Sequence, residues 1–472
     1  MIRLIIYLFL SVHSLQAVWL TYEEAINNSP FESASIGWTI PFPNEDAVLI
    51  RGRGDNWKKW YKVNLLKNDT ILFLDSMAFN YKGDDLFVSN LEFSKDSRRI
   101  LIRTDRRKIW RHSHLSTYFI YNISQARLIP LTDQNKELRN VKFSPNSKLL
   151  AYVRKDNNLY VFDIERGRQR QITTTGSETV LNGHFGWLYE EELTGYDSYR
   201  WSPNSESIAY WEEDESMVPE FSMINELGQY PTTKKLRYPK AGERNPSLRI
   251  GIARIKGAGR KWIDSAKVDN DYLPWMEWAS DQKVSFLKMA RDQKSWDLFI
   301  SDPNTGRSIK VLSEEDKSGW LENHGQIRYL SDGKIIWISE RSGFKHIWMS
   351  KHSGSKFWPI TEGSWEVDEI VHIDEISKLV FFIANKESIF EKRLYSIRFD
   401  GTELSLLTTE KGNHSIMLTG SKNYFIDTYS TVDMPRKIVL KELKTGMVLR
   451  VLAETDISQY VEYEWSNPKI VH

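Results

Sequence analysis

Cysteine is absent from the 472 residues, so neither a disulfide framework nor a cysteine-based metal site is available. Neither sign of charge is in surplus: 64 Lys and Arg stand against 63 Asp and Glu, a net charge of +1. That balance excludes the basic footprint of a nucleic-acid binder and the acidic tail of a solvating segment. The single basic and aromatic stretch, RGDNWKKWYK at 53–62, reads as a solvated hairpin. The histidines are scattered without metal-ligand spacing, and no cofactor is expected. Long apolar runs are missing beyond the N-terminus. The opening segment MIRLIIYLFLSVHSLQA places Arg3 before an apolar run at 4–12 and ends on Ala17. This is the layout of a secretory signal peptide, and the run is about half of the ~20 residues a membrane span needs. Residues 1–17 are therefore expected to be cleaved, giving a secreted or periplasmic protein. An uncleaved membrane anchor is the alternative, because Leu15 is large for a cleavage site.

Aromatic residues are abundant, with 18 Trp, 21 Tyr and 21 Phe, as half-buried strands favour. A phrase recurs: an apolar or aromatic residue, a Ser/Asp/Asn turn, then a strand of alternating polarity. It appears as LEFSKDSRRILIRT from Leu91, VKFSPNSKLLAYVR from Val141 and YRWSPNSESIAYWE from Tyr199. MEWASDQKVSFLKM from Met276 and IRYLSDGKIIWISE from Ile327 follow, with weaker copies at 39–50, 370–383 and 417–429. Copies lie about fifty residues apart, the period of propeller blades of about four strands each. The expectation is an all-β, eight-bladed β-propeller over 37–460, with a seven-bladed ring plus a hairpin, or two stacked sandwiches, as alternatives. Residues 18–36 read as a short helical segment with Thr21 as its cap and Glu23 and Glu24 in its first turn. Polar, proline-bearing sequence at 184–200 and 212–246 interrupts one blade, and insertions of that kind usually build a working face.

One interruption contains GHFGWLYEEELTGY, in which Glu190, Glu191 and Glu192 are flanked by Phe185, Trp187, Leu188, Tyr189 and Leu193. GWLYEEEL at 186–193 and WSPNSESIAYWEEDESMVPEF at 201–221 resemble the N-terminal domain of the dipeptidyl peptidase IV family of serine peptidases. The resemblance continues in YPTTKKLRYPKAGERNPSLRIGI at 230–252, WRHS at 110–113, GSWEV at 363–367 and DTYSTVDMPRKIVL at 427–440. It implies an eight-bladed propeller followed by an α/β-hydrolase domain that supplies a Ser–Asp–His triad. No G-x-S-x-G elbow occurs in this sequence. The expectation is that 461–472 begin the linker to a hydrolase domain on a missing or separate segment.

An exopeptidase must recognise a free amine, and a desolvated ammonium is costly unless paired. Two converging carboxylates can supply that pairing, and distance from them sets the cleavage point. The resemblance implies that Glu191 and Glu192 bind the substrate amine and that Arg111 contacts a substrate carbonyl. Neighbours on a regular helix point about 100° apart, so both glutamates can serve one ligand only at a helix end or an irregular turn. Glu190 is expected to turn to a structural hydrogen bond or to solvent, and His112 is given no catalytic role. One departure stands out: the family commonly has Asp before the motif's Trp, and this chain has Gly186, which would loosen the turn. The implied activity is release of N-terminal dipeptides with Pro or Ala second, with no catalysis by this chain alone. The expected partners are peptide or protein N-termini. A homodimer is also consistent with the family, whose members often dimerise, largely through parts not found in this sequence or through one propeller extension. A stand-alone peptide-binding or protein-interaction propeller is the alternative.

Overall fold

The computed structural model describes residues 21–26, 32–458 and 463, apart from 68, 133–136, 258, 323–325, 352–353 and 355. The signal-peptide reading and nearly all of 461–472 lie outside these residues. Among the described residues, beside two small two-stranded hairpins, eight antiparallel sheets follow one another along the chain, seven of four strands and one of five, each made from its own stretch of chain. They are the eight blades of a propeller. The innermost strands coincide with the repeated phrase: Val88–Phe93, Arg139–Phe143, Tyr199–Trp201, Met276–Ser280 and Ile327–Tyr329. The weaker copies give Thr39–Pro41, Val367–Asp374 and Asn413–Leu418, so all eight repeats are blades. At the N-terminus, Tyr22–Ile26 is helical. Thr21 Oγ1 accepts from the Glu24 N–H at 3.2 Å, and Glu24 returns a carboxylate to the Thr21 N–H at 2.9 Å. This is the reciprocal cap expected of Thr21. Of the apolar residues near it, Trp19, Leu20 and Phe31 and the Ile26 side chain fall outside the described residues.

Burial explains why the strands differ in composition. Middle strands are covered on both faces by neighbouring blades, so Leu149–Val153 and Ile335–Ser339 are almost wholly buried. Outer strands meet water, and Arg168–Gln171 is exposed throughout. Clusters of apolar side chains fill the spaces between blades; one joins Tyr152 and Leu150 to Ile120 and Tyr118 of the preceding blade. The first turn of several phrases adds polar clasps. The Asp96 N–H donates to Ser147 Oγ at 3.1 Å, the Asn146 N–H to Ser205 Oγ at 3.0 Å, and the Asn204 N–H to Asp281 Oδ1 at 2.7 Å. Each clasp ties one blade to the next.

Among the described residues no strand crosses the seam between the last blade and the first, each sheet being built from its own stretch of chain. Side chains close the ring instead. Val48 and Leu65 pack with Ile426, Ile438 and Leu440. Thr419 Oγ1 donates to Asp46 Oδ1 at 2.8 Å, and the Ala34 N–H donates to Thr455 Oγ1 at 2.9 Å.

The fourth blade is the elaborate one. Val180–Asn182 adds a strand beside Glu212–Asp214, a six-residue helix Trp187–Glu192 follows, and the chain then enters the blade's inner strand. A hairpin, Glu220–Asn225 with Thr232–Arg237, projects from the same blade. Both lie within the stretches that break the repeat.

Candidate functional site

Hydrophobic anchors fix the helix Trp187–Glu192. Leu188, Tyr189 and Leu193 are buried in the largest apolar cluster of the fold, with Phe185, Trp211 and Leu273. Tyr189 stacks on Phe185, ring centroids 4.8 Å apart, and its hydroxyl accepts from the Leu273 N–H at 3.0 Å. The Leu193 and Gly195 N–H groups both return to the Tyr189 carbonyl. Thr194, which follows the helix, takes a left-handed backbone with φ 54°, costly for a β-branched residue. The apolar neighbours of the acidic triplet therefore hold a helix of one and a half turns that would not form alone.

The three glutamates have three surroundings. Glu190 is 1% exposed. Its Oε1 accepts from the His112 N–H at 2.6 Å and the Ser113 N–H at 2.8 Å, the structural hydrogen bond expected of it. Glu191 is half-buried and faces Arg111. Arg111 Nε lies 3.1 Å from both Glu191 carboxylate oxygens, and Nη2 also donates to Oε1. Hydrogen bonds from Arg111 hold the Glu191 carboxyl below its ordinary range, against the opposing effect of desolvation. Glu192 is exposed at the helix end. The fold thus brings Arg111 and Glu191 together, with Glu192 on the adjoining helical position.

The WRHS segment forms a loop between the strands Arg99–Lys108 and His114–Asn122. Four contacts seat it: Glu190 from the helix, the Ile109 N–H to the Ser113 carbonyl at 3.0 Å, His112 stacked on Tyr196, and Lys234 with its Nζ 4.0 Å from the Trp110 ring centroid. Lys234 belongs to the projecting hairpin. On the helix side the hairpin end meets Trp187 through Tyr238, centroids 4.6 Å apart. A cavity of about 350 Å³ lies between the loop, the start of the helix and the hairpin, lined by Trp110, Arg139, Gly186, Trp187, Glu215 and Arg237 among others. Burial draws Arg139 down to about 10 and pushes the neighbouring His184 well below the usual imidazole range, where Arg139 lowers it further.

Two residues at this site carry no signal that was read from the sequence. Glu213 and Glu215 reach under Gly186 from the strand Ser207–Asp214 and the turn after it. The Gly186 N–H donates to Glu213 Oε2 at 2.8 Å. A Cβ at Gly186 would lie 1.9 Å from Glu215 Oε1. The turn opened by the glycine is therefore filled by carboxylates from another part of the blade. A glycine at the cap position together with the acidic run WEEDE was the available signal. Among the described residues, no three His, Asp or Glu side chains are grouped to hold a metal ion, and no helix is long and apolar enough to cross a membrane.

Fold and site together define an eight-bladed propeller whose fourth blade presents a carboxylate-bearing helix to an arginine loop of the second. The chain belongs to the family described as the dipeptidyl peptidase IV N-terminal region, whose model matches residues 94–436. It is 26% identical over 478 residues to a dipeptidyl peptidase 4 of Trichophyton equinum, covering 96% of this chain and 59% of that one. It is 27% identical over 464 residues to the dipeptidyl peptidase 4 of Trichophyton tonsurans, covering 93% of this chain and 57% of the relative. The chain thus spans less than two thirds of these relatives. The crystal structure of Porphyromonas gingivalis dipeptidyl peptidase 4 has the same fold, with a TM-score of 0.84 at 24% identity over 93% of this chain and 62% of that one.

Proposed function

We propose that this chain is the substrate-anchoring propeller of a secreted or periplasmic serine-type dipeptidyl aminopeptidase. Glu191 and Glu192 hold the free amine of a peptide, and Arg111 receives a backbone carbonyl near the bond to be cut. The observation that carries this reading is the bidentate Arg111–Glu191 pair, drawn from two blades and locked in register by Glu190. Before ligand arrives, Arg111 neutralises Glu191. An incoming ammonium replaces that partner and frees the guanidinium to turn to the carbonyl, where its fork of donors suits a peptide oxygen. The carboxylates thus fix one end of the peptide, and their distance from a hydrolase domain on another segment would set a two-residue cut.

Calorimetry with a tripeptide and its N-acetylated form tests the reading. The free amine is expected to bind, and acetylation or Glu191→Gln to weaken binding about tenfold to a hundredfold, the range of a charged hydrogen bond. Equal affinity for both peptides would sink it. The purified chain is expected to bind without releasing dipeptides.

The projecting hairpin is the proposed homodimer contact. Its Ile224, Leu227 and Tyr230 are 64%, 97% and 78% exposed, more apolar surface than a hairpin leaves free without a partner.

A further inference from the structure

The site helix has only six residues and begins on Gly186, which supplies no side-chain cap. A helix this short takes its direction from what holds its ends. The far end and the buried side are accounted for by Leu193, Tyr189 and Glu190. At the near end Trp187 packs on Tyr238, and the buried Gly186 N–H has the Glu213 carboxyl as acceptor at 2.8 Å. Glu215 occupies the volume that a cap side chain at 186 would fill, its Oε1 1.9 Å from the missing Cβ. Both carboxylates come from rigid backbone. Ser207–Asp214 is paired on one side with Ser247–Arg254 and on the other with Val180–Asn182, where Leu181 faces Glu213. The Glu215 N–H donates to the Thr179 carbonyl at 2.8 Å, and the Val218 N–H returns to the Glu215 carbonyl at 2.9 Å. The strand that holds the helix therefore also holds the segment leading into it.

We propose that Glu213 and Glu215 are positioning residues for the amine site, together holding the uncapped Gly186 turn at the entry of the helix and so fixing the angle at which Glu191 is presented to Arg111. Neither touches the ligand. Glu213 supplies the acceptor, and Glu215 supplies the bulk that keeps the glycine turn from collapsing. Removing the Glu213 acceptor leaves the buried Gly186 N–H unpaired, and the first turn of the helix must move to find another partner. Filling the Glu215 space from the other side, by a side chain at 186, must displace one of the two. This inference rests on the amine-site reading for its binding readout only.

The test uses the full chain and two readouts: affinity for the free-amine tripeptide, and hydrogen exchange of the amides in 186–193 and 110–113. Glu213→Gln keeps an acceptor of the same shape and is expected to bind within about twofold of the parent. Glu213→Leu is expected to lose about tenfold in affinity and to exchange faster in both segments. Gly186→Asp is expected to weaken binding because its Cβ meets Glu215. The double variant Gly186→Asp with Glu215→Ala restores the space and puts the cap on the helix itself, and is expected to recover most of the affinity and the protection. A folded Glu213→Leu protein with parental exchange in 186–193 overturns the proposal. So does a double variant no better protected than Gly186→Asp alone, which decides the matter should Glu213→Leu fail to fold. If the parent does not discriminate the free from the acetylated peptide, the amine-site reading falls, and the exchange data still decide for or against the positioning role.

Discussion

Glu213 and Glu215 are held where their neutral forms are favoured. Burial raises both, and the charge of Glu215 raises Glu213 further, well above the ordinary carboxyl range; Glu215 is raised to about 7. Arg237 opposes the rise at Glu215 and Asp214 adds to it. A carboxyl raised on folding binds its proton more tightly in the native state. Its stabilising contribution is complete below about pH 4.3, the unfolded value, and is lost as pH climbs through the folded value. Thermal unfolding followed from pH 5 to 8 should therefore show Glu215→Gln gaining on the parent as pH rises. The difference is expected to grow by about 2–3 kcal/mol from pH 5 to pH 8. A constant difference across the range would contradict it. At this scale the sequence was readable where a residue's partners lay in recognisable motifs. Glu190, Glu191, Glu192 and Arg111 all sit in such motifs, and the division between Glu190 and its two neighbours came from the family resemblance, since helix geometry separates each adjacent pair alike. Glu213 and Glu215 were not readable because the glycine they meet lies 27 residues before Glu213 in the chain, and nothing local in an acidic strand end announces the contact.

Strands were legible as elements because turn residues and alternation mark them independently of tertiary contacts. What alternation hides is a charged residue on a buried face. Lys441 lies in the strand Lys437–Glu442, with a side chain 1% exposed, and its Nζ sits 3.0 Å from Asp427 Oδ2. Asp427 in turn accepts from His414 Nδ1 at 2.9 Å, and Glu410 completes the group by pairing with Lys441. Three buried polar side chains of the last blade thus satisfy one another, with the partly exposed Glu410 closing the group. Lys441→Met should cost about 3–5 kcal/mol, because it strands the Asp427 charge in the interior. Four residues earlier, Lys437 pairs with Glu454 at the surface, 2.9 Å apart, and Lys437→Met should change stability by no more than about 0.5 kcal/mol. Chemical denaturation of the two variants side by side checks the contrast, and similar losses would refute it. Sequence reading could not separate these lysines, since the partners of Lys441 lie on neighbouring strands and a bend that periodicity does not connect.

For the whole molecule, the number of blades followed from counting one phrase, because each copy is a complete supersecondary unit that buries its faces only against its neighbours. The clasps between turns were partly visible as the recurring Ser and Asn or Asp, although their pairing across blades was not. The closure could not be read from the sequence at all, since it depends on Asp46 and Ala34 meeting Thr419 and Thr455 after the whole ring has formed. That closure has a consequence for connectivity. Ala34 and Thr455 are hydrogen-bonded neighbours although 421 positions separate them, and among the described residues no strand is shared across the junction. The order in which the blades are threaded is therefore free of any requirement to start at the first. A circular permutant that joins residues 34 and 455 through a short linker and opens at the exposed Gly343 turn of the sixth blade should fold to the same ring. It should also bind a free-amine peptide as the parent does, since the second and fourth blades remain in one uninterrupted stretch. Circular dichroism and the same calorimetry would show it, and a permutant that folds without binding would place part of the site in the connectivity rather than in the ring.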